Sequence, residues 1–243
     1  MAFRIVDFFA GMGNFRAGFE KAGAVCVYSV EWDIHKREIY KVIYGHEPDA
    51  DDIRRVEARD IPDAECWCFG APCQDFSMAG SRSGLNGDRS SLVKEIFRIL
   101  GEKEPEDRPE WLFYENVKGM LSSNKGWDFA AILSEFHRWG YDTEWAILNA
   151  KLFVPQSRER VYVIGHLRAR GGQKIFPLGT LGFQTDMYGR RKVTQIAMTK
   201  SERNNPNQYR VYDKNGIAPC LNKAEGGERT PYIIIDEDKE CDI

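Results

Sequence analysis

The residue with the greatest chemical reach is Cys73, in the run Gly70-Ala71-Pro72-Cys73-Gln74. A thiolate is a strong nucleophile, and a cysteine placed just after a buried strand stands where the active sites of open sheets gather. The same thiol also fits a structural cysteine in a turn. The polar stretch 77–89 that follows carries Gly80, Gly84 and Gly87, the composition of a closing loop. Further on, Glu115 ends the apolar run Trp111-Leu112-Phe113-Tyr114. A carboxylate there is a candidate acid or hydrogen-bonding group for a bound base, while its neighbour Asn116 would equally serve a cap or turn. Arg158 and Arg160 stand two apart at the head of Val161-Tyr162-Val163-Ile164. On a strand they project to one side, to meet an anion or a base edge, or to pair with Glu115 and Glu159.

A second group of residues suits a nucleotide-like ligand. In Asp7-Phe8-Phe9-Ala10-Gly11-Met12-Gly13-Asn14 a strand runs into a glycine-containing turn and then a helix. Glycine lets a ligand approach the backbone where a Cβ would collide. Such a turn also fits a plain tight turn or a nicotinamide site. Glu31 follows Gly11 by twenty positions, at the end of the next apolar run, where a carboxylate accepts hydrogen bonds from ribose hydroxyls. Trp32 is placed to pack on a base. Together these residues point to an adenosine-containing cofactor.

The elements that must position these residues alternate. Residues 3–9, 25–30, 66–69, 111–114, 143–148 and 160–164 read as strands, and 14–21, 33–44, 90–100 and 127–139 as helices. That order predicts an α/β fold, a mostly parallel sheet with helices on both sides. Residues 1–167 are expected to form one cofactor-binding and catalytic domain. Residues 168–243, rich in Gly, Arg, Lys, Asn and Thr, are expected to be an irregular region. The net charge of -3 does not advertise nucleic-acid binding, although a basic cleft can sit on an acidic body. Cys66 and Cys68 point the same way along a strand, but no second Cys/His pair completes a zinc site, so no metal is expected. No signal peptide or membrane-spanning run is visible, and a cytoplasmic protein is the expectation.

Taken in order, the glycine turn, Glu31-Trp32, Pro72-Cys73-Gln74, Glu115-Asn116-Val117 and Gln156-x-Arg158-x-Arg160 resemble the DNA cytosine-5 methyltransferase family over residues 3–165. The resemblance implies a Rossmann-like S-adenosylmethionine-dependent methyltransferase fold with a mixed, mostly parallel sheet. It implies that Phe9, Gly11, Met12, Glu31 and Trp32 hold S-adenosylmethionine, that Asp52 and Ile53 meet its adenine, and that Pro72 and Leu92 line the pocket. Asn14 stands where the family usually has a second glycine, and asparagine tolerates unusual backbone angles. Cys73 would add to carbon 6 of cytosine, Glu115 would hold the base at N3 and its exocyclic amine, and Arg160, assisted by Arg158, would bind the O2 side. Gln74, Ser77 and Arg89 would contact double-stranded DNA as the target base is flipped out.

The stretch 209–219 resembles the entry to the family's target-recognition region, but neither a longer recognition domain nor a closing Gly-Asn segment follows. The expectation is one half of a split enzyme, methylating DNA poorly alone, with a second chain carrying recognition; a shortened enzyme or remnant is the alternative. Three rivals remain. A nicotinamide-dependent oxidoreductase leaves Pro-Cys-Gln and Gln-x-Arg-x-Arg without roles. Cys73 argues against a non-catalytic DNA-binding subunit. An RNA cytosine methyltransferase is disfavoured because its Cys-Phe-Thr signature is absent.

Overall fold

Strands that are buried on both faces must lie inside a sheet covered on both sides. That is where β1 (Arg4–Phe8) and β3 (Cys66–Phe69) lie, with every residue of β3 buried. The computed structural model describes residues 2–71, 92–154 and 156–171, and the backbone of three later strands. Around β1 and β3 stand β2 (Val25–Val30), β4 (Trp111–Val117), β5 (Tyr141–Asn149) and β6 (Glu159–Leu167), in the order β2-β1-β3-β4-β6-β5. β1 runs parallel to β2 and β3, and β3 parallel to β4, while β6 runs antiparallel to β4. The mixed, mostly parallel sheet expected from the sequence is therefore present.

Alternation along each strand feeds two cores. Val6, Phe8, Trp67, Phe69, Leu112 and Tyr114 face one side, where they pack with α3 (Leu92–Glu102) and α4 (Trp127–Arg138). Ile5, Cys66 and Cys68 face the other, with Trp111 and Phe113 against them and Phe15 and Phe19 of α1 (Asn14–Lys21) covering them. α2 (Ile34–Tyr44) starts at Asp33, whose side chain caps the N–H groups of His35 and Lys36, and ends at Gly45 in the left-handed region. Burial of Ile96, Ile99 and Leu100 of α3 contributes about 1.5–3 kcal/mol apiece before the cost of ordering the chain. Gly165 of β6 admits α4 to the sheet, because a Cβ there would stand 2.5 Å from Cδ1 of Phe136.

Several boundaries differ from those read in the sequence. The strand expected at 111–114 continues to Val117, so Glu115 lies within it and not at its end. Register with β4 carries the strand expected at 160–164 from Glu159 to Leu167. Arg158 therefore precedes the strand that holds Arg160. The helix expected at 90–100 is described from Leu92 and runs on to Glu102. Cys66 and Cys68 are free buried thiols whose sulfurs lie 3.8 Å apart on the same face. Among the described residues no His/Cys/Asp/Glu group is arranged to hold a metal ion, and no helix is long and apolar enough to cross a membrane.

The chain divides into two compact units, Met1–Ile147 with Arg160–Leu178, and Leu148–Glu159 with Gly179–Ile243. The second contains a three-stranded sheet, β7 (Gln195–Met198), β8 (Arg210–Tyr212) and β9 (Tyr232–Ile233), with β8 in the middle. Within the same unit the Asn149 side chain organises a loop, its Oδ1 accepting from the N–H groups of Lys151 and Arg158 at 3.0 Å each.

Candidate active site

Parallel pairing aligns the ends of β1, β2 and β3 with Tyr114 of β4. Val30 is registered with Phe8, Phe8 with Phe69, and Phe69 with Tyr114. The residues just beyond them, Phe9 to Gly13, Glu31 and Trp32, Gly70 and Ala71, and Glu115, thus share one edge of the sheet. Antiparallel β6 brings its first residues to the same edge, with Arg160 opposite Val117.

Nearest β1, the glycine turn packs left-handed angles closely together: Phe9 at φ 57, Gly11 at 61 and Gly13 at 82. For Phe9 this costs about 1–2 kcal/mol, so its surroundings must impose it. The Ala10 N–H donates to Val30 O at 2.9 Å and the Gly13 N–H to Ala10 O at 2.8 Å. Buried Glu31 accepts from the Gly11 N–H at 2.7 Å on one oxygen and from the Asp33 N–H at 2.8 Å on the other. The Tyr44 hydroxyl donates to Gly13 O at 2.7 Å, and its ring fills the space a Cβ at Gly13 would need. Above Gly11, by contrast, a Cβ would meet nothing within 4 Å. The turn is clamped from behind and open in front. Each Glu31 oxygen keeps a lone pair for a ligand hydroxyl. Asn14 opens α1, and the left-handed angles fall on Gly11 and Gly13, so asparagine's tolerance of such angles is not drawn on.

Sequence reasoning passed over Asp7, whose signal was a charge inside a buried strand. Gly13 supplies no side-chain cap to α1, and Asp7 Oδ2 accepts from the Arg16 N–H of its first turn at 3.3 Å instead. Asp7 is fully buried and its Oδ1 has no partner. Burial pushes its carboxyl up to about 7; the Arg16 N–H pulls it down and the Glu31 charge adds to the rise. The folded state therefore holds a proton that an unfolded carboxyl, with its ordinary value of 3.8, releases. Stability from this group is full below that value and is lost as pH rises towards 7. The loss is on the order of 4 kcal/mol. Asp7→Asn is expected to flatten this decline, and urea denaturation of both proteins at pH 4.5 and 7.5 measures it. Parallel pH dependence in the two would refute it.

Beyond β2, the backbone of Glu31 donates to Ala50 O at 3.1 Å, which brings residues 50–53 alongside the strand end. The structure thereby gathers Glu31, Trp32, Asp52 and Ile53. Trp32 is 66% exposed, whereas Asp52 and Ile53 are buried. Arg54 joins them, its guanidinium on the Asp52 carboxylate and 5.0 Å from the centre of the Trp32 ring. Met12 is exposed, and Leu92 is half-buried at the start of α3. Pro72 lies outside the described residues.

At the β4 end, Glu115 Oε1 and Arg160 Nε form an ion pair at 2.9 Å, both side chains mostly shielded from solvent. A Cβ on Gly70 would stand 3.3 Å from Glu115 Oε2, so the segment leading to Cys73 departs from beside this carboxylate. Cys73, Gln74, Ser77 and Arg89 themselves lie outside the described residues. Arg158 is exposed and belongs to the second unit, whereas Glu115 and Arg160 belong to the first.

An open mixed sheet with a clamped glycine turn and carboxylates along its carboxyl edge is the frame of a nucleotide-cofactor enzyme. The model of the C-5 cytosine-specific DNA methylase family matches residues 3–232, and the chain belongs to that family, whose members need a methyl donor. It is 39% identical over 162 residues to the Type II methyltransferase M.HhaI of Haemophilus parahaemolyticus, covering 66% of this chain and 48% of that relative. It is 38% identical over 243 residues to the Type II methyltransferase M1.ScrFI of Lactococcus lactis subsp. cremoris, covering 98% and 59% respectively. The chain thus spans less than two thirds of the length of these relatives. They hold the matched region and more in one chain, which lends the expected second chain no support. Among solved structures, the methyltransferase EhMeth of Entamoeba histolytica superposes with a TM-score of 0.60 at 21% identity, over 71% of this chain and 55% of that one. The Dnmt2 methyltransferase of S. pombe gives 0.57 at 23%, over 72% and 52%. At these identities the likeness speaks for the fold.

Proposed function

We propose that this chain carries the catalytic machinery of a DNA cytosine-5 methyltransferase that uses S-adenosylmethionine and acts on double-stranded DNA. The observation that carries the reading is the Glu115–Arg160 pair beside Gly70, at the edge that also holds the glycine turn and Glu31. S-adenosylmethionine fits that turn, with room above Gly11, a buried carboxylate at Glu31 and an open indole at Trp32; when bound it supplies an electrophilic methyl group.

Carbon 5 of cytosine is a poor nucleophile. The Cys73 thiolate adds to carbon 6, and the ring's electrons move towards N3. Glu115 holds N3 and the exocyclic amine and stabilises the protonated ring. Arg160 orients Glu115 and meets the O2 side. Carbon 5, now enamine-like, would take the methyl group, with S-adenosylhomocysteine as the leaving group. Loss of the carbon 5 proton then breaks the C–S bond, and Cys73 leaves as thiolate. A base stacked in a duplex is out of reach of these groups, so the target is flipped out, with Gln74, Ser77 and Arg89 on the DNA. Pro72 and Leu92 border the cofactor. Residues 1–167 hold this machinery, and 168–243 lead towards target recognition.

The test is transfer of a tritiated methyl group to mixed-sequence DNA, together with trapping on 5-fluorocytosine DNA. Label on carbon 5 of cytosine and a protein–DNA adduct are expected. Cofactor binding with neither label nor adduct would identify a non-catalytic subunit, and label on RNA alone would reassign the substrate.

A further inference from the structure

Arg54 is engaged twice at the nucleobase end of this edge. Its Nε donates to Asp52 Oδ1 at 2.9 Å and its terminal nitrogen to Oδ2 at 2.8 Å, a two-pronged match of guanidinium to carboxylate. Its own backbone N–H donates to the same Oδ1 at 3.1 Å, closing a short turn over residues 53–55. The guanidinium carbon also lies 5.0 Å from the centre of the Trp32 ring, within cation–π reach. Asp52 is buried while Arg54 is more than half exposed, so the arginine closes the carboxylate from the solvent side. Arg55 adds a weaker contact to Asp52 Oδ2 at 3.9 Å. One side chain therefore ties together a buried acceptor and an exposed aromatic face that come from different segments.

From this geometry we infer that Arg54 is a positioning and specificity-determining residue of the cofactor site. It fixes Asp52 as an ionised acceptor and Trp32 as a stacking surface, so that the slot selects a base with an exocyclic amine. The inference rests on the reading of this edge as an adenosine site. The carboxylate carries both the Arg54 Nε and the Arg54 backbone N–H on Oδ1, so Oδ2, met by the terminal nitrogen, is the oxygen that keeps a lone pair for an incoming donor. It accepts from the amine of adenine and repels the carbonyl oxygen that hypoxanthine presents at the same position. Without Arg54 the indole and the carboxylate lose their common tether, and the carboxylate can turn away or take up a proton. Discrimination then falls along with affinity.

The experiment measures binding of S-adenosylhomocysteine and its inosine counterpart by calorimetry, using the whole chain, for wild type, Arg54→Ala, Arg54→Lys and Asp52→Asn. Arg54→Ala is expected to weaken the adenine ligand by about tenfold and the hypoxanthine ligand far less. Arg54→Lys keeps the charge without the planar fork and is expected to restore part of the preference. Unchanged or tighter adenine binding by Arg54→Ala would overturn the inference, and so would equal weakening of both ligands, the mark of a merely structural role. Wild type that binds neither ligand would bring down the adenosine reading as well. If wild type prefers adenine and Asp52→Asn loses the preference while Arg54→Ala retains it, the adenosine reading stands and the role of Arg54 falls.

Discussion

A Cys73→Ser variant is expected to lose methyl transfer by ~10³-fold or more, at least ~4 kcal/mol of transition-state stabilisation, and to form no adduct with 5-fluorocytosine DNA. The reaction needs an anionic nucleophile that can attack carbon 6 and later leave. A cysteine at neutral pH is thiolate to a few per cent and intrinsically very nucleophilic, whereas a serine hydroxyl without a dedicated base is essentially neutral. The variant keeps the glycine turn with its Glu31 contact, so binding of S-adenosylhomocysteine should be unchanged. Single-turnover transfer of tritium checks the rate, and denaturing electrophoresis checks the adduct. Transfer within tenfold of wild type would remove Cys73 from the mechanism.

Glu115→Gln is expected to slow transfer by about 10²–10⁴-fold. The substitution keeps the volume of a side chain packed beside Gly70 but removes the negative charge that faces Arg160 at 2.9 Å. Addition at carbon 6 pushes electrons onto the ring, and an amide cannot share a proton with N3 as a carboxylate does. Mostly shielded Arg160 loses the Glu115 charge, a cost that adds to the loss. The effect should fall on kcat with cofactor affinity retained. Glu115 belongs to β4, and the glycine turn to β1, with β3 between them. A rate close to wild type, or a loss confined to cofactor affinity, would exclude this role.

Much of the candidate site was legible before any coordinates. Strand and helix order follows from local periodicity, because burial on one face recurs every second or every third to fourth residue. The glycines of the turn were legible too, since Gly11 and Gly13 adopt angles that side chains resist. The chemistry of Cys73, Glu115 and Arg160 was open to reading from residue type and from a resemblance carried by their order along the chain.

What the tertiary structure decided is which of these residues meet. Strand order is not a local property. β6 takes its place between β4 and β5 and runs antiparallel to β4, and only that register sets Arg160 against Glu115 while leaving Arg158 outside the strand. Likewise Phe9 carries a left-handed angle that no propensity predicts, because Val30, Glu31 and Tyr44 hold the surrounding turn from other elements. Asp7 and Arg54 are ordinary charged residues in the sequence. One is made unusual by complete burial and the other by an indole brought from a separate segment to an arginine already seated on a neighbouring carboxylate. Residue type and spacing determined what chemistry was available to this protein; long-range packing determined which groups stand close enough to use it.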